Sequence, residues 1–307
     1  MPKRKDGSSL RAMLISLAAV LAVMIPIRCY QFVSGVLEGR TGFYSQSDWS
    51  IYVSYAVLVL AAAAFAALSL KDKRNVSYSR TAMRSTGLAI AAFMLALTLV
   101  IDAVYQYKVV IATVTDEAMT YATESVQYLK TGLVARGIEG FAAIVSAVFF
   151  VLFGVGHING KSMASDSKLM ALFPVIWCVC RLMHRFMRTV NFLNVSELLY
   201  ELFMCVFLMA FFMAFAQLNS NVSSDGLDWK LTAYGLPAAM MCAVCFFPRF
   251  IVTLVGRDDC LCLQSPIEWC DLGTAVFIIA LLLARLGAKE QIQAASESET
   301  DETESES

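Results

Sequence analysis

The chain has 307 residues, 58% hydrophobic and only 16% charged, with a mean hydropathy of +0.64. Ordinary soluble domains carry roughly 25% charged residues, and a transmembrane β-barrel alternates polar and apolar positions over segments of about ten residues. Apolar blocks separated by short polar stretches fit neither class, so the expected fold is all-α, a polytopic transmembrane helix bundle. The net charge of −1 hides an asymmetry: the start is basic (Lys3-Arg4-Lys5), whereas Ser296 to Ser307 holds only Ser, Glu, Thr and Asp.

About eight membrane helices are predicted, each near the ~20 residues that cross a hydrocarbon core. The first covers Arg11 to Cys29. Its basic start resembles a signal peptide, but no small-x-small cleavage site follows the apolar run, so a retained helix is expected. The second covers Ile51 to Leu70, with the small residues Ala61 to Ala64 allowing close helix approach. The third covers Gly87 to Tyr107 and the fourth Ile138 to His157. The fifth covers Leu169 to Arg188, with a bend expected at Pro174. The sixth covers Asn194 to Leu218. The seventh covers Leu231 to Leu254, interrupted by Pro237 and Pro248. The eighth covers Cys270 to Leu286.

Lys and Arg cluster at the start, in 71–84 and in 161–168, and recur at Lys230, Arg285 and Lys289. The opposite loops hold fewer, so the positive-inside rule places both termini in the cytoplasm. Residues 1–290 then form the helix bundle, with external loops at 30–50 and 108–136. Residues 291–307 form an acidic tail that cannot bury apolar area and is expected to be disordered. Within 108–136, Val110, Val114, Ala118, Tyr121, Ser125, Tyr128 and Leu129 recur near helical spacing, so an amphipathic helix on the outer surface or capping the bundle is expected there.

The chemistry concentrates in the fifth and sixth segments. The apolar run Leu169 to Cys180 is too short to span, so the fifth segment crosses only if Arg181, His184 and Arg185 enter the membrane. These residues, with Arg188, share one helix face, and Asn194, Glu197 and Glu201 form a matching stripe. A turn centred near Asn191 would set Arg181 beside Glu201 and Arg185 beside Glu197. Intramembrane charges are costly and face protein or a polar cavity. Asp102 and Arg249 fall at the same depth and could pair with each other. Glu139, Glu268 and Asp271 stand at helix starts, where acids suit the helix dipole. The inner half of the bundle has few ionisable residues, which favours an outward cavity over a channel.

Phosphate-loop, His-Glu-x-x-His and Gly-x-Ser-x-Gly patterns are missing, and His157 and His184 are the only histidines. No catalytic residue, metal or cofactor is therefore expected. Cys242-x-x-Cys245 lacks a second ligand pair. Cys260, Cys262 and Cys270 share one external loop, where a disulfide would involve at most two of them.

The stretch Phe173-Pro174-Val175-Ile176-Trp177 through Arg181-Leu182, then Asn194-Val195-Ser196-Glu197 and the Phe/Met-rich run to Gln217, resembles a group of bacterial polytopic membrane proteins without assigned activity. The resemblance covers the fifth and sixth helices and implies a bacterial plasma-membrane location.

Two functional expectations stand side by side, ahead of a membrane enzyme acting on lipid or cell-envelope intermediates. In one, the chain is a transporter or substrate-binding membrane component. Arg181, Arg185 and Arg188 would receive an anionic or zwitterionic small molecule or a lipid head group, because guanidinium presents a rigid fork of donors. His184 would be pH-sensitive, Glu197 and Glu201 would orient the ligand, Asn194 would belong to the same binding set, and Asp102 and Arg249 would line the far wall. In the other, the bundle is a non-catalytic scaffold, sensor or anchor, its Arg–Glu pairs are structural, and its acidic tail meets a cytoplasmic partner. Membrane lipids surround the chain in both, transport powered by ATP would need a separate energising subunit, and no nucleic acid is involved.

Overall fold

In a segment this apolar, an α-helix is the simplest way for one stretch of chain to satisfy its own backbone hydrogen bonds. The apolar blocks accordingly fold as helices. The computed structural model describes residues 7–38, 44–72, 85–118, 132–160, 169–187, 195–220, 227–257, 260–261 and 267–285. In chain order the helices are α1 (Gly7–Val33), α2 (Trp49–Asp72), α3 (Thr86–Ala118), α4 (Leu133–Asn159), α5 (Phe173–Met187, after a 3-10 turn at Met170–Leu172), α6 (Val195–Asn219), α7 (Leu227–Leu254) and α8 (269–285). Six of them (α1, α2, α3, α4, α6 and α7) are long and apolar enough to cross a membrane. The chain is therefore a helical protein of multi-pass membrane type.

Three local expectations change. Pro174 lies in the first turn of α5, where a missing N–H costs nothing, so it starts the helix rather than bending it. Pro237 and Pro248 sit inside an unbroken α7, as packed membrane helices allow when neighbouring groups take up the freed carbonyls. The surface helix expected over 108–136 begins instead as a continuation of α3, which runs to Ala118. Residues 119–131 and the acidic tail lie outside the described residues, as does Cys262. Cys260 and Cys270 are both free thiols.

Helix α7 is the most enclosed, with 83% of its apolar window buried against 22% for α1 and 17% for α2. It packs on α1, α2 and α6, while α3 pairs with α4, and α5 bridges α4 and α6. The outward faces carry large apolar side chains, among them Ile15, Leu60, Leu97, Phe141 and Phe186. That much exposed apolar surface suits lipid rather than water. Away from the charged residues, Phe149, Phe150 and Phe153 of α4 interlock with Phe211 and Phe215 of α6 and Phe277 of α8. Aromatic rings fill this space with large, geometrically specific contacts.

Glycine sets the approach of α8 to α3. A Cβ on Gly273 would collide with the Thr98 hydroxyl and lie 3.2 Å from Thr98 Cβ. Gly273→Ala should therefore separate these helices and cost about 1–3 kcal/mol, the range for overpacking. Thermal unfolding in detergent checks this, and pairing the variant with Thr98→Ala should recover part of the loss.

Candidate functional site

Among the described residues, each of the eight helices brings polar side chains to the same end of the bundle. For α1, α3, α5 and α7 that end is carboxy-terminal, and for α2, α4, α6 and α8 it is amino-terminal. The eight elements thus run alternately up and down, and each brings ionisable or hydrogen-bonding groups to one layer.

The layer is built from charges taken out of solvent. Arg28 of α1 binds Glu197 of α6. Arg249 of α7 reaches both Glu197 and Glu201 at 2.8 Å. Arg185 of α5 donates through Nε to Glu201 at 2.8 Å and through Nη2 to Glu268 at 2.7 Å. Arg181, one turn earlier, binds Glu268 and meets Asp271 at 2.5 Å. The result is one continuous chain from Arg28 through Glu197, Arg249, Glu201, Arg185, Glu268 and Arg181 to Asp271. Arg181 is 1% exposed and Glu197 1% exposed, so bulk water screens little of it.

Branches tie in the remaining helices. Arg28 donates to Gln31 at 2.7 Å, and Gln31 donates to Ser54 of α2 at 3.0 Å. Trp177 of α5 donates to Asp102 of α3 at 3.0 Å, and Gln106 donates to the other Asp102 oxygen at 3.1 Å. His184 Nδ1 lies 3.0 Å from Glu139 of α4, and its Nε2 lies 3.0 Å from Arg136. The Arg28 guanidinium also stacks over Tyr200 at 4.2 Å, and Arg181 over Trp177 at 5.2 Å, contacts that favour a cation on an aromatic face.

The predicted residues meet, but with other partners. Arg185 pairs with Glu201 rather than Glu197. Arg181 turns to the start of α8, and Glu197 goes to Arg28 and Arg249. Asp102 and Arg249 do not pair with each other. The reason is geometric: a helix face meets several neighbours, so matching two adjacent helices by depth leaves out α1, α7 and α8. Arg188 and Asn194 lie outside the described residues. Sequence reasoning missed Arg28, because α1 runs on to Val33 and carries it inside the bundle. It also read Glu139, Glu268 and Asp271 as dipole residues only. A usable signal for Arg28 was its i, i+3 spacing with Gln31, which puts two polar groups on one helix face.

The loop after α1 covers this end. Leu37 bridges to Tyr44, and Phe32, Leu37 and Val252 form a small cluster with Tyr44, Cys260 and Leu261. Burial, then neighbouring Tyr200, pushes the Tyr44 hydroxyl up to about 12, so it stays protonated. Beside the cap lies a cavity of about 410 Å³, whose lining includes Glu38, Ser45, Arg257 and Cys260. Glu268 precedes α8. Burial works against its charge, but Arg181 and Arg185 outweigh burial and hold the carboxylate well below its usual range. Its contribution to stability is therefore complete above the ordinary carboxylate pKa and fades only as pH falls below about 4.

Glu268, Cys270 and Asp271 place ligand atoms within 4.8 Å of one another. Arg181 already occupies that cluster, which suits a guanidinium and not a metal ion. No family model, curated protein or solved structure matches the chain. What can be said of function rests on the layer itself: buried Arg–carboxylate pairs within a helical membrane protein.

Removing one member of such a pair strands a buried charge. Arg249→Leu should destabilise the protein by about 3–5 kcal/mol. Adding Glu201→Gln should restore part of this, with a coupling energy of about 0.5–3 kcal/mol. Chemical unfolding of the four proteins in detergent measures the cycle, and strict additivity would mean that the contact carries no energy.

Proposed function

We propose that the chain is a transporter or substrate-binding component of a bacterial plasma membrane, and that its charged end accepts an anionic or zwitterionic small molecule or a lipid head group. All eight helices cross the bilayer, both termini are cytoplasmic, and the charged end faces outward. The alternation of helix directions supports the count, and the excess of Lys and Arg in the opposite loops supports the orientation.

One observation carries the binding reading. Arg181 and Arg185 both donate to Glu268, and Glu268 stands before the first turn of α8 rather than within a helix. With 14% of its side chain exposed, it is the most accessible acid among those ion pairs. A tethered carboxylate thus fills a paired-guanidinium site from its open side. An incoming carboxylate or phosphate offers the same oxygen geometry, and such forks recognise it in two-point fashion.

A second reading is favoured by the same contacts. Each of the four buried arginines (Arg28, Arg181, Arg185 and Arg249) already has a carboxylate partner. Under that reading the network is structural, and the bundle is a scaffold or sensor whose acidic tail meets a cytoplasmic partner.

Glu268→Gln separates the two. If Glu268 holds the place of a ligand, the variant should gain stability from millimolar inorganic phosphate or succinate, by several degrees in melting temperature and more than the wild type gains. If the network is only structural, the variant should lose stability and neither anion should restore it.

A further inference from the structure

The charges of the layer do not balance. Among the described residues, four buried arginines (Arg28, Arg181, Arg185 and Arg249) face six carboxylates (Asp102, Glu139, Glu197, Glu201, Glu268 and Asp271). The four arginines bind Glu197, Glu201, Glu268 and Asp271, which leaves Asp102 and Glu139 without a direct ion pair to any of them. Among the described residues, half-buried Arg136 is the only further cation bonded to this corner. Counting it still leaves one negative charge in excess.

His184 cannot supply the missing positive charge in this arrangement. The Arg136 guanidinium has only donors, so the His184 Nε2 that it faces at 3.0 Å must be an acceptor. Nδ1 then carries the proton and donates to Glu139 Oε2 at 3.0 Å. The imidazole is neutral, its tautomer set by its two neighbours.

The surplus sits where unpaired atoms also collect. Asp102 and Glu139 lie within electrostatic reach of one another. Glu139 is 0% exposed and its Oε1 has no hydrogen-bond donor, while Gln106, 2% exposed, directs Nε2 to Asp102 and leaves its Oε1 unpartnered. Two orphan acceptor oxygens beside an uncompensated carboxylate pair, all closed off from water, are a costly arrangement. A bound cation relieves both defects at once.

We infer that Asp102, Gln106 and Glu139, between α3 and α4, form a binding site for one small monovalent cation, a proton or Na⁺. The groups around it are Arg136 of α4, Trp177, Arg181, His184 and Arg185 of α5, and Glu268 and Cys270 at the start of α8, with Asp271 held on Arg181. The Cys178 and Cys180 thiols of α5 also face Glu139. A proton would convert Glu139 Oε1 from an orphan acceptor into a donor. Na⁺ would instead gather the free oxygens of Glu139 and Gln106 with Asp102. As a coupling site for transport this rests on the function proposed above; as a cation site it stands on the charge count together with the unpartnered buried oxygens of Glu139 and Gln106.

The test needs no transported substrate. The melting temperature of the purified full chain is followed from about pH 5 to about pH 9 in choline chloride and in NaCl. If the ion is a proton, the folded protein holds one that the unfolded carboxyl has already released. Stability then falls as pH rises, by on the order of 5 °C, whichever salt is present. If the ion is Na⁺, NaCl but not choline chloride raises the melting temperature at the alkaline end. Glu139→Gln or Asp102→Asn should abolish whichever dependence is found. A wild type indifferent to both pH and Na⁺ overturns the site, and so does an unchanged dependence in both variants. Should neither variant fold, infrared spectroscopy of the wild type decides. A protonated-carboxyl band that disappears with rising pH, or one displaced by Na⁺, supports the site, and absence of the band together with no effect of Na⁺ overturns it. Failure here would leave the anion test at Glu268 untouched, and failure of that test would leave this one standing.

Discussion

A charge inside a low-dielectric bundle needs a partner, and that demand organises one end of this protein. Arg28, Arg181, Arg185 and Arg249 come from three different helices, and their carboxylates come from α6 and the start of α8. Neutralising them requires those elements to end at one level. The branches through Gln31, Trp177 and His184 extend the requirement to α2, α3 and α4. The alternating arrangement of eight helices is therefore tied to this layer as much as to the apolar core. Buried ion pairs add little net stability over apolar packing of the same shape, because desolvation offsets most of the Coulomb attraction. Their strength lies in geometry: a helix displaced by one turn would strand a charge.

The rest of the bundle is built on the opposite principle. The interlocked Phe149, Phe150, Phe153, Phe211, Phe215 and Phe277 rings offer no site for an ion. Small residues let the backbones close around them: a Cβ on Gly235 would lie 3.2 Å from both Phe211 and Ile278. Among the described residues, the buried ionisable groups are thus confined to one end of a molecule whose core is packed with apolar side chains. A binding cavity open to one side fits this division better than a polar path through the whole thickness, which would need relays at several depths. Helix α5 shows the division within a single element. Trp177, Arg181, His184 and Arg185 turn inward, while Val179, Met183 and Phe186 on the other face are exposed as lipid would require.

Much of this was legible in the sequence. Composition alone indicates a helical membrane protein, because no soluble fold would expose so much apolar surface. The short apolar run of the fifth segment implies that Arg181, His184 and Arg185 go inside, and all three are buried. Glu197 and Glu201 follow from the same reasoning about depth. These inferences depend on length, period and the cost of a charge in lipid, and one segment at a time is enough to read them.

The partners are another matter. Arg185 meets Glu201 and Glu268 together, Arg181 reaches Asp271, and Arg28 crosses from the first helix to Glu197. Those pairings join residues up to 169 positions apart. Helical period says which side of a helix a residue occupies, but not which neighbour that side faces. The choice among neighbours follows from how all the helices pack at once, with contacts such as Gly273 against Thr98 setting which faces meet. The sequence by itself determined the class of protein and which charges of the fifth and sixth segments turn into the bundle. Only the tertiary structure decided which charges neutralise one another and which two carboxylates are left over, because electrostatic pairing depends on distances between helices that no local pattern encodes.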